Sequence, residues 1–176
     1  REEVHRLRDM ADSFASFARL PEAVPSQVQI VELVDAVTNL YLADRGDVIL
    51  ARAVDSEQLG VWADGAQLKI VFGNLIKNAL EAMGDSGTLT VAMMQVTERG
   101  RGGIAVRVQD DGCGIDPAVR DRLFTPYVST KGERGTGLGL ALVHRIVAEA
   151  GGHVDVENIE PSGTAFMVWL PESEQA

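Results

Sequence analysis

Twelve of the 18 glycines in this chain fall between positions 100 and 163. Backbone so rich in glycine bends sharply or lets a ligand approach closely. The densest stretch, Gly135-Thr136-Gly137-Leu138-Gly139-Leu140, runs straight into an apolar-periodic segment and so reads as a loop that opens a helix. Amide groups at a helix start, with glycines allowing close approach, form a cradle for phosphate. The Gly-Lys-Ser/Thr ending of a P-loop is missing. A dinucleotide fingerprint is not met either, because Leu140 or Leu142 stands where its last Gly or Ala belongs. The eukaryotic-type kinase motifs are also missing.

The rest of the chain has to fold around that loop. Residues 1–20 read as an amphipathic helix with Val4, Leu7, Ala11, Phe14 and Ala18 on one stripe, ended by Pro21 and Pro25. Such a helix needs a partner for its stripe: a second helix, favoured by the heptad-like spacing, or its own domain. Beyond the linker, strands are predicted over Val28–Ile30, Val48–Val54, Gly60–Trp62, Thr88–Val96, Ile104–Gln109, His153–Asn158 and Thr164–Leu170. Helices are predicted over Val31–Ala43, over Gly65–Met83 with Asp64 as N-cap, and over Leu138–Ala150 closed by Gly151-Gly152. The charged stretch Glu98 to Gly103 reads as a turn. Runs of strands with few helices indicate an α+β two-layer sandwich, one mixed sheet with helices on one face.

Acids exceed bases by 10, which speaks against a duplex nucleic-acid groove or an anionic membrane surface as partner. An anionic ligand must then be met by local cations, a metal ion or backbone amides. Lys131 and Arg134, just before the glycine loop, are such cations. The single cysteine, Cys113, excludes an internal disulfide and fits a reducing compartment. No apolar run approaches a membrane span and no signal-peptide pattern is present. The chain opens on Arg1, so it is read as part of a longer protein that could carry an anchor elsewhere.

Two further clusters carry chemistry. On the helix Gly65–Met83, Asn74, Asn78 and Glu81 line one face beside Lys77. Paired asparagines one turn apart do little for a helix, but oxygen-bearing side chains suit a hard cation such as Mg²⁺ that keeps phosphate and water as its other ligands. Asp110-Asp111-Gly112-Cys113-Gly114 follows a strand, so a tight turn can aim one carboxylate at an amino group such as that of adenine.

The ordered set of asparagine helix, Asp-x-Gly-x-Gly, Phe124-x-Pro126, Gly-x-Gly-x-Gly and Gly163-Thr164 resembles the nucleotide-binding fold shared by sensor histidine kinases, gyrase-type topoisomerases, Hsp90 and MutL. The resemblance runs from about Ser26 to Leu170. Asn-Leu-Ile-Lys-Asn-Ala with Gly-Thr-Gly-Leu-Gly-Leu looks like the histidine-kinase branch, and the segment from Phe14 to Pro21 resembles the last dimerisation helix of nitrogen-regulation sensor kinases. It implies residues 1–25 as the end of a dimerisation and phosphoacceptor domain and 26–176 as a catalytic ATP-binding domain. Asn78 would hold Mg²⁺, with Asn74 beside it as its catalytic partner. Asp110 would accept from the adenine amine, with Gly112 and Gly114 shaping that turn and Thr164 supporting the pocket. Phe124 and Pro126 would hinge a lid, and Lys131, Arg134, Gly135, Gly137 and Gly139 would meet the phosphates.

The resemblance further implies transfer of the ATP γ-phosphoryl to a histidine on a helical domain of the same protein or its dimer mate. A response regulator would take it next, the full-length protein would be a homodimer, and the domain would lie in the cytoplasm. The hydrolysing branches carry a Glu where Asn74 stands, and an amide cannot act as general base. A hydrolytic ATPase and a catalytically silent nucleotide-sensing or dimerisation module are the rival readings. Among the histidines, His144 and His153 are expected to be structural. His5 lacks the following Glu or Asp and Pro of an acceptor, so the acceptor is expected upstream of Arg1.

Overall fold

The computed structural model describes residues 20–128 and 136–172. In chain order the elements are β1 (Ser26–Gln29), α1 (Ile30–Leu42), β2 (Val48–Val54), β3 (Gly60–Ala63), α2 (Gly65–Met83), β4 (Gly87–Glu98), β5 (Arg101–Asp110), α3 (Pro117–Arg120), α4 (Gly139–Glu149), β6 (His153–Asn158) and β7 (Thr164–Pro171). Five strands form a mixed sheet in the order β2-β4-β5-β7-β6, with β2 parallel to β4 and every other pair antiparallel. The α+β sandwich is as expected. The strands do not form one sheet, however: β1 and β3 pair antiparallel in a two-stranded sheet of their own.

Strand periodicity sets the layers. Leu89, Val91 and Met93 on β4, Ile104, Val106 and Val108 on β5, and Phe166, Val168 and Leu170 on β7 alternate along their strands and share one buried cluster. Helix α2 meets that face with Leu68, Val71, Phe72, Leu75, Ile76 and Ala79, all 4% exposed or less. Removing a fully buried ring such as Phe72 by Ala costs about 3–5 kcal/mol. Flanking stripes from α1 (Ile30, Val31, Val34) and α4 (Leu142, Val143, Ile146) complete the helical layer.

Both ends of α2 are defined by local chemistry. Asp64 accepts from the amides of Ala66 (2.8 Å) and Gln67 (3.2 Å), the cap expected from sequence. It also accepts from the amide of Val24 at 2.9 Å, and Gln67 Nε2 donates to the carbonyl of Pro21 at 3.0 Å. The linker is thereby strapped across the start of α2.

Three expectations need correction. The turn Glu98–Gly103 is only two residues, since β4 runs to Glu98 and β5 starts at Arg101, paired with it. Arg99 and Gly100 both have positive φ, 50° and 81°, the requirement of a tight hairpin whose twist matches the strands. Gly103 therefore lies within β5, where a Cβ would run into the Trp169 ring. Ile30 begins α1 rather than ending a strand, and the one-turn α3, capped by Asp116, was not expected. The predicted helix over residues 1–20 falls on residues 1–19 outside the described part. No helix among the described residues is long and apolar enough to cross a membrane.

Candidate nucleotide site

Asp110 is the last residue of β5, paired in register with Thr164 at the start of β7. Both are buried, at 3% and 2% exposure. The Asp110 carboxylate accepts from the Gly112 amide at 2.9 Å and from the Thr164 amide. Burial pushes its carboxyl above the ordinary 3.8, with the Asp111 charge acting the same way, against the pull of those two amides. A buried acceptor of this kind suits one donor on a flat ligand. Gly163 presses against the Asp110 carbonyl so closely that a Cβ would collide with it, which is why glycine precedes Thr164.

The turn after Asp110 is fastened on two sides. Both Asp111 oxygens accept from the Thr88 amide, at 2.9 and 3.0 Å, tying the turn to β4. Asn158, the last residue of β6, accepts from the Ile115 amide and donates to the Ile115 carbonyl, both at 2.8 Å. Sequence reading missed both residues. The available signal for Asn158 was its place at the end of a strand six residues before Thr164, and the register pairs the two. Cys113 is exposed within the same turn.

The asparagine face of α2 lies against the start of α4. Asn74 is half-buried and donates from Nδ2 to the Ile70 carbonyl at 2.8 Å. That bond turns Oδ1 toward Gly139, where an ideal Cβ would stand only 2.6 Å from it. Asn74 and Gly139 of the glycine motif, 65 residues apart, are thus brought together; Asn78, one turn further along α2, is half-buried. No cluster of three or more His, Cys, Asp or Glu side chains able to hold a metal occurs among the described residues. The donor set fits a Mg²⁺ ion arriving with its phosphates, held by amide oxygen from α2, rather than a free ion in a carboxylate cage.

Helix α4 begins without a side-chain cap. Leu138, at its N-cap position, is buried, and the nearby Thr136 hydroxyl accepts only a long 3.4 Å bond from the Leu138 amide. Its first-turn amides and the positive end of its dipole are left available for an anion. Gly137, with φ of 64°, accepts at its carbonyl from the Tyr127 amide at 2.9 Å, so the end of the first described stretch meets the start of the second there. Phe124 packs against His144, centroids 5.5 Å apart, and Phe166 at 6.5 Å, with Pro126 half-buried behind it. Phe124 therefore fixes the root of the following segment to α4 and β7. Lys131, Arg134 and Gly135, with Thr130 and Gly132, lie outside the described residues, as does His5. His144 is engaged with Phe124, and His153 stacks on Trp169 at 5.6 Å and lies 3.3 Å from Glu98, the structural roles expected of both.

Comparison with known proteins agrees with this geometry. Residues 63–174 match the family of histidine kinase-, DNA gyrase B-, and HSP90-like ATPases, and the chain belongs to that family. Within it the likeness is to sensor histidine kinases. The chain is 40% identical over 149 residues to the sensor histidine kinase ZraS of Salmonella typhi, covering 82% of this chain and 31% of ZraS. It therefore spans about a third of that relative's length. Its fold matches the catalytic domain of histidine kinase ThkA with a TM-score of 0.76 and 28% identity, over 86% of this chain and 99% of that domain. ThkA in complex with response regulator TrrA gives 0.78 and 25%, over 98% of this chain and 49% of that one. Full-length ShkA in complex with AMPPNP gives 0.81 and 29%, over all of this chain and 38% of that one. The domain is the ATP-binding type of this family.

Proposed function

We propose that the chain is the catalytic part of a sensor histidine kinase that moves the γ-phosphoryl of Mg·ATP to a histidine imidazole. Residues 26–176 form the ATP-binding domain, and 1–25 close a dimerisation helix resembling that of nitrogen-regulation kinases. The observation that carries the reading is Asn74, whose amide oxygen faces Gly139 at the end of the glycine loop, where α4 begins. In hydrolytic relatives a carboxylate at this position would activate water. An amide cannot take a proton, so the site favours a nucleophile, such as a neutral imidazole nitrogen, that needs no base to deprotonate it before it attacks.

Each residue then has a limited task. Asp110 accepts from the adenine amine, Thr164 supports it, and Gly112 and Gly114 shape the turn. Asn78 and Asn74 present amide oxygens toward the ion. Gly137 and Gly139 let the phosphates reach the α4 amides, with Gly135, Lys131 and Arg134 supplying the preceding lid contacts and Phe124 its root. When bound, Mg²⁺ would neutralise and orient the phosphates. The imidazole nitrogen bonds to phosphorus as the bond to the ADP oxygen breaks; catalysis is then positioning and charge neutralisation. The acceptor lies on the parent's helical domain, in the same protomer or its dimer mate. The complex of ThkA with a response regulator supports such a partner as the next station, and the resemblance implies an aspartate as its acceptor.

The test is to incubate the chain with γ-labelled ATP, alone and with the parent's acceptor helices. Label appearing on protein only in the mixture, with little free phosphate, is expected. Rapid steady-state phosphate release by the chain alone would overturn transfer in favour of hydrolysis. Strong self-labelling lost in His5→Gln would overturn the separate acceptor.

A further inference from the structure

The turn that presents Asp110 is short of internal support. Besides the Gly112 amide bonded to Asp110 itself, residues 111–115 hold only a long 3.6 Å contact from Cys113 Sγ to the Gly114 carbonyl. Its start is tied to β4 by Asp111 and more weakly by the Ser162 hydroxyl, 3.4 Å from the Asp111 carbonyl. Its end is tied by one side chain. Asn158 meets both backbone groups of Ile115 at 2.8 Å, and Gly114, with φ of 75°, sits against the same amide, its ideal Cβ position 3.5 Å from Asn158 Oδ1. A carboxamide reproduces one peptide unit, so the side chain continues the ladder of β6 by one step after the strand ends. Arg120 Nη2, donating to the Val156 carbonyl at 3.2 Å, fastens the segment beyond to the same strand.

Resting on the nucleotide reading above, we infer that Asn158 is a positioning residue for base recognition: by clamping Ile115 it fixes the Asp110–Ile115 turn in the shape that sets Asp110 toward an adenine amine. The side-chain chemistry required is narrow. A carboxylate at 158 has no donor for the Ile115 carbonyl, a hydroxyl is too short to span both groups, and an aliphatic residue makes neither bond. Asn158 is exposed, so water replaces the lost partners when the clamp is removed. The consequence falls on the order of the turn rather than on the core, and the cost appears when Asp110 must be held against an adenine amine.

The experiment uses the 176-residue chain with Asn158→Ala and the near-isosteric Asn158→Leu. Calorimetry measures Mg·ADP and Mg·IDP, whose hypoxanthine replaces the adenine amine by a carbonyl. Both variants are expected to bind ADP about tenfold more weakly, about 1.4 kcal/mol, with IDP little changed, so that discrimination for adenine falls by the same factor. The Ile115 amide is expected to lose its protection from hydrogen exchange in both, with the melting temperature close to that of the parent chain. Unchanged ADP affinity in both variants, or equal loss of ADP and IDP, would overturn the inference. A parent chain that binds neither nucleotide, or both equally, would overturn the nucleotide reading and the inference with it; normal discrimination in the parent retained by the variants would overturn the inference alone.

Discussion

Two helices of this domain start in opposite ways. Helix α2 has its first amides closed by Asp64, which also takes the amide of Val24 from the linker. Helix α4 starts on a glycine with no side-chain cap. A capped end is complete and contributes stability, whereas an open end gives up that contribution and leaves amides and dipole for an anion. Two carboxylates, Asp64 at the cap of α2 and Asp110 at the end of β5, differ in a comparable way. Asp64 is held below its ordinary 3.8 by the Val24, Gln67 and Ala66 amides, against partial burial. Asp110 is pushed above the same value, chiefly by burial. One stabilises the fold, and the other holds a charge at a cost that a ligand can offset.

The largest effect expected is at Asp110. Asp110→Asn turns one acceptor into a donor opposite an adenine amine, and Mg·ADP affinity should drop by about 100-fold, on the order of 3 kcal/mol. The melting temperature of the empty domain should not fall with it, since burying the charge opposes folding. Equal affinity in the variant would separate Asp110 from base recognition. Next is Gly139→Ala, whose Cβ would meet Asn74 Oδ1 at 2.6 Å and displace it from the open end. Nucleotide affinity should weaken about tenfold, measured by fluorescence with a labelled ATP analogue, and an unchanged value would detach Asn74 from the phosphate loop.

Asp64→Ala should do the reverse. Losing a cap costs about 0.5–2 kcal/mol, visible in urea denaturation, while nucleotide affinity stays within error. A loss of affinity as large as the loss of stability would erase the distinction between the two ends. The smallest and most diagnostic effect is in pH. Asp64, with a folded value below its unfolded one, contributes fully above about 4 and loses that contribution as pH falls through the folded value. The stability gap between parent and Asp64→Ala should therefore close only in strong acid. Adenine affinity needs the charged Asp110 and should decline at higher pH than that, above the ordinary 3.8.

What was legible in the sequence divides along similar lines. Asp64 as a cap, the stripe of α2 and the alternation of the strands are local patterns, and they read correctly from composition and spacing. The meeting of Asn74 with Gly139 and the pairing of Asp110 with Thr164 are non-local; the resemblance to a known nucleotide-binding fold named all four residues for one ligand, but neither contact was legible in the sequence. Where neither route applied, reading failed. Three glycines and three charges between Glu98 and Gly103 spell a loop, yet Gly103 pairs with Val96 and Pro171 within a strand, and it is glycine because Trp169, 66 residues later, occupies the space of a side chain there. Asn158 and Asp111 looked like ordinary strand-end and turn residues, and their roles follow only from partners 43 and 23 residues away.

The contrast between the helix ends can be tested at once by assigning backbone amides and following their shifts as Mg·ADP is added. The amides of Gly139, Leu140 and Ala141 at the start of α4, with that of Gly112, should move most. Those of Ala66 and Gln67 at the start of α2 should stay in place. Large shifts at Ala66 and Gln67 with none at Gly139 to Ala141, or no shift at either end, would contradict the assignment of the open helix end as the nucleotide site.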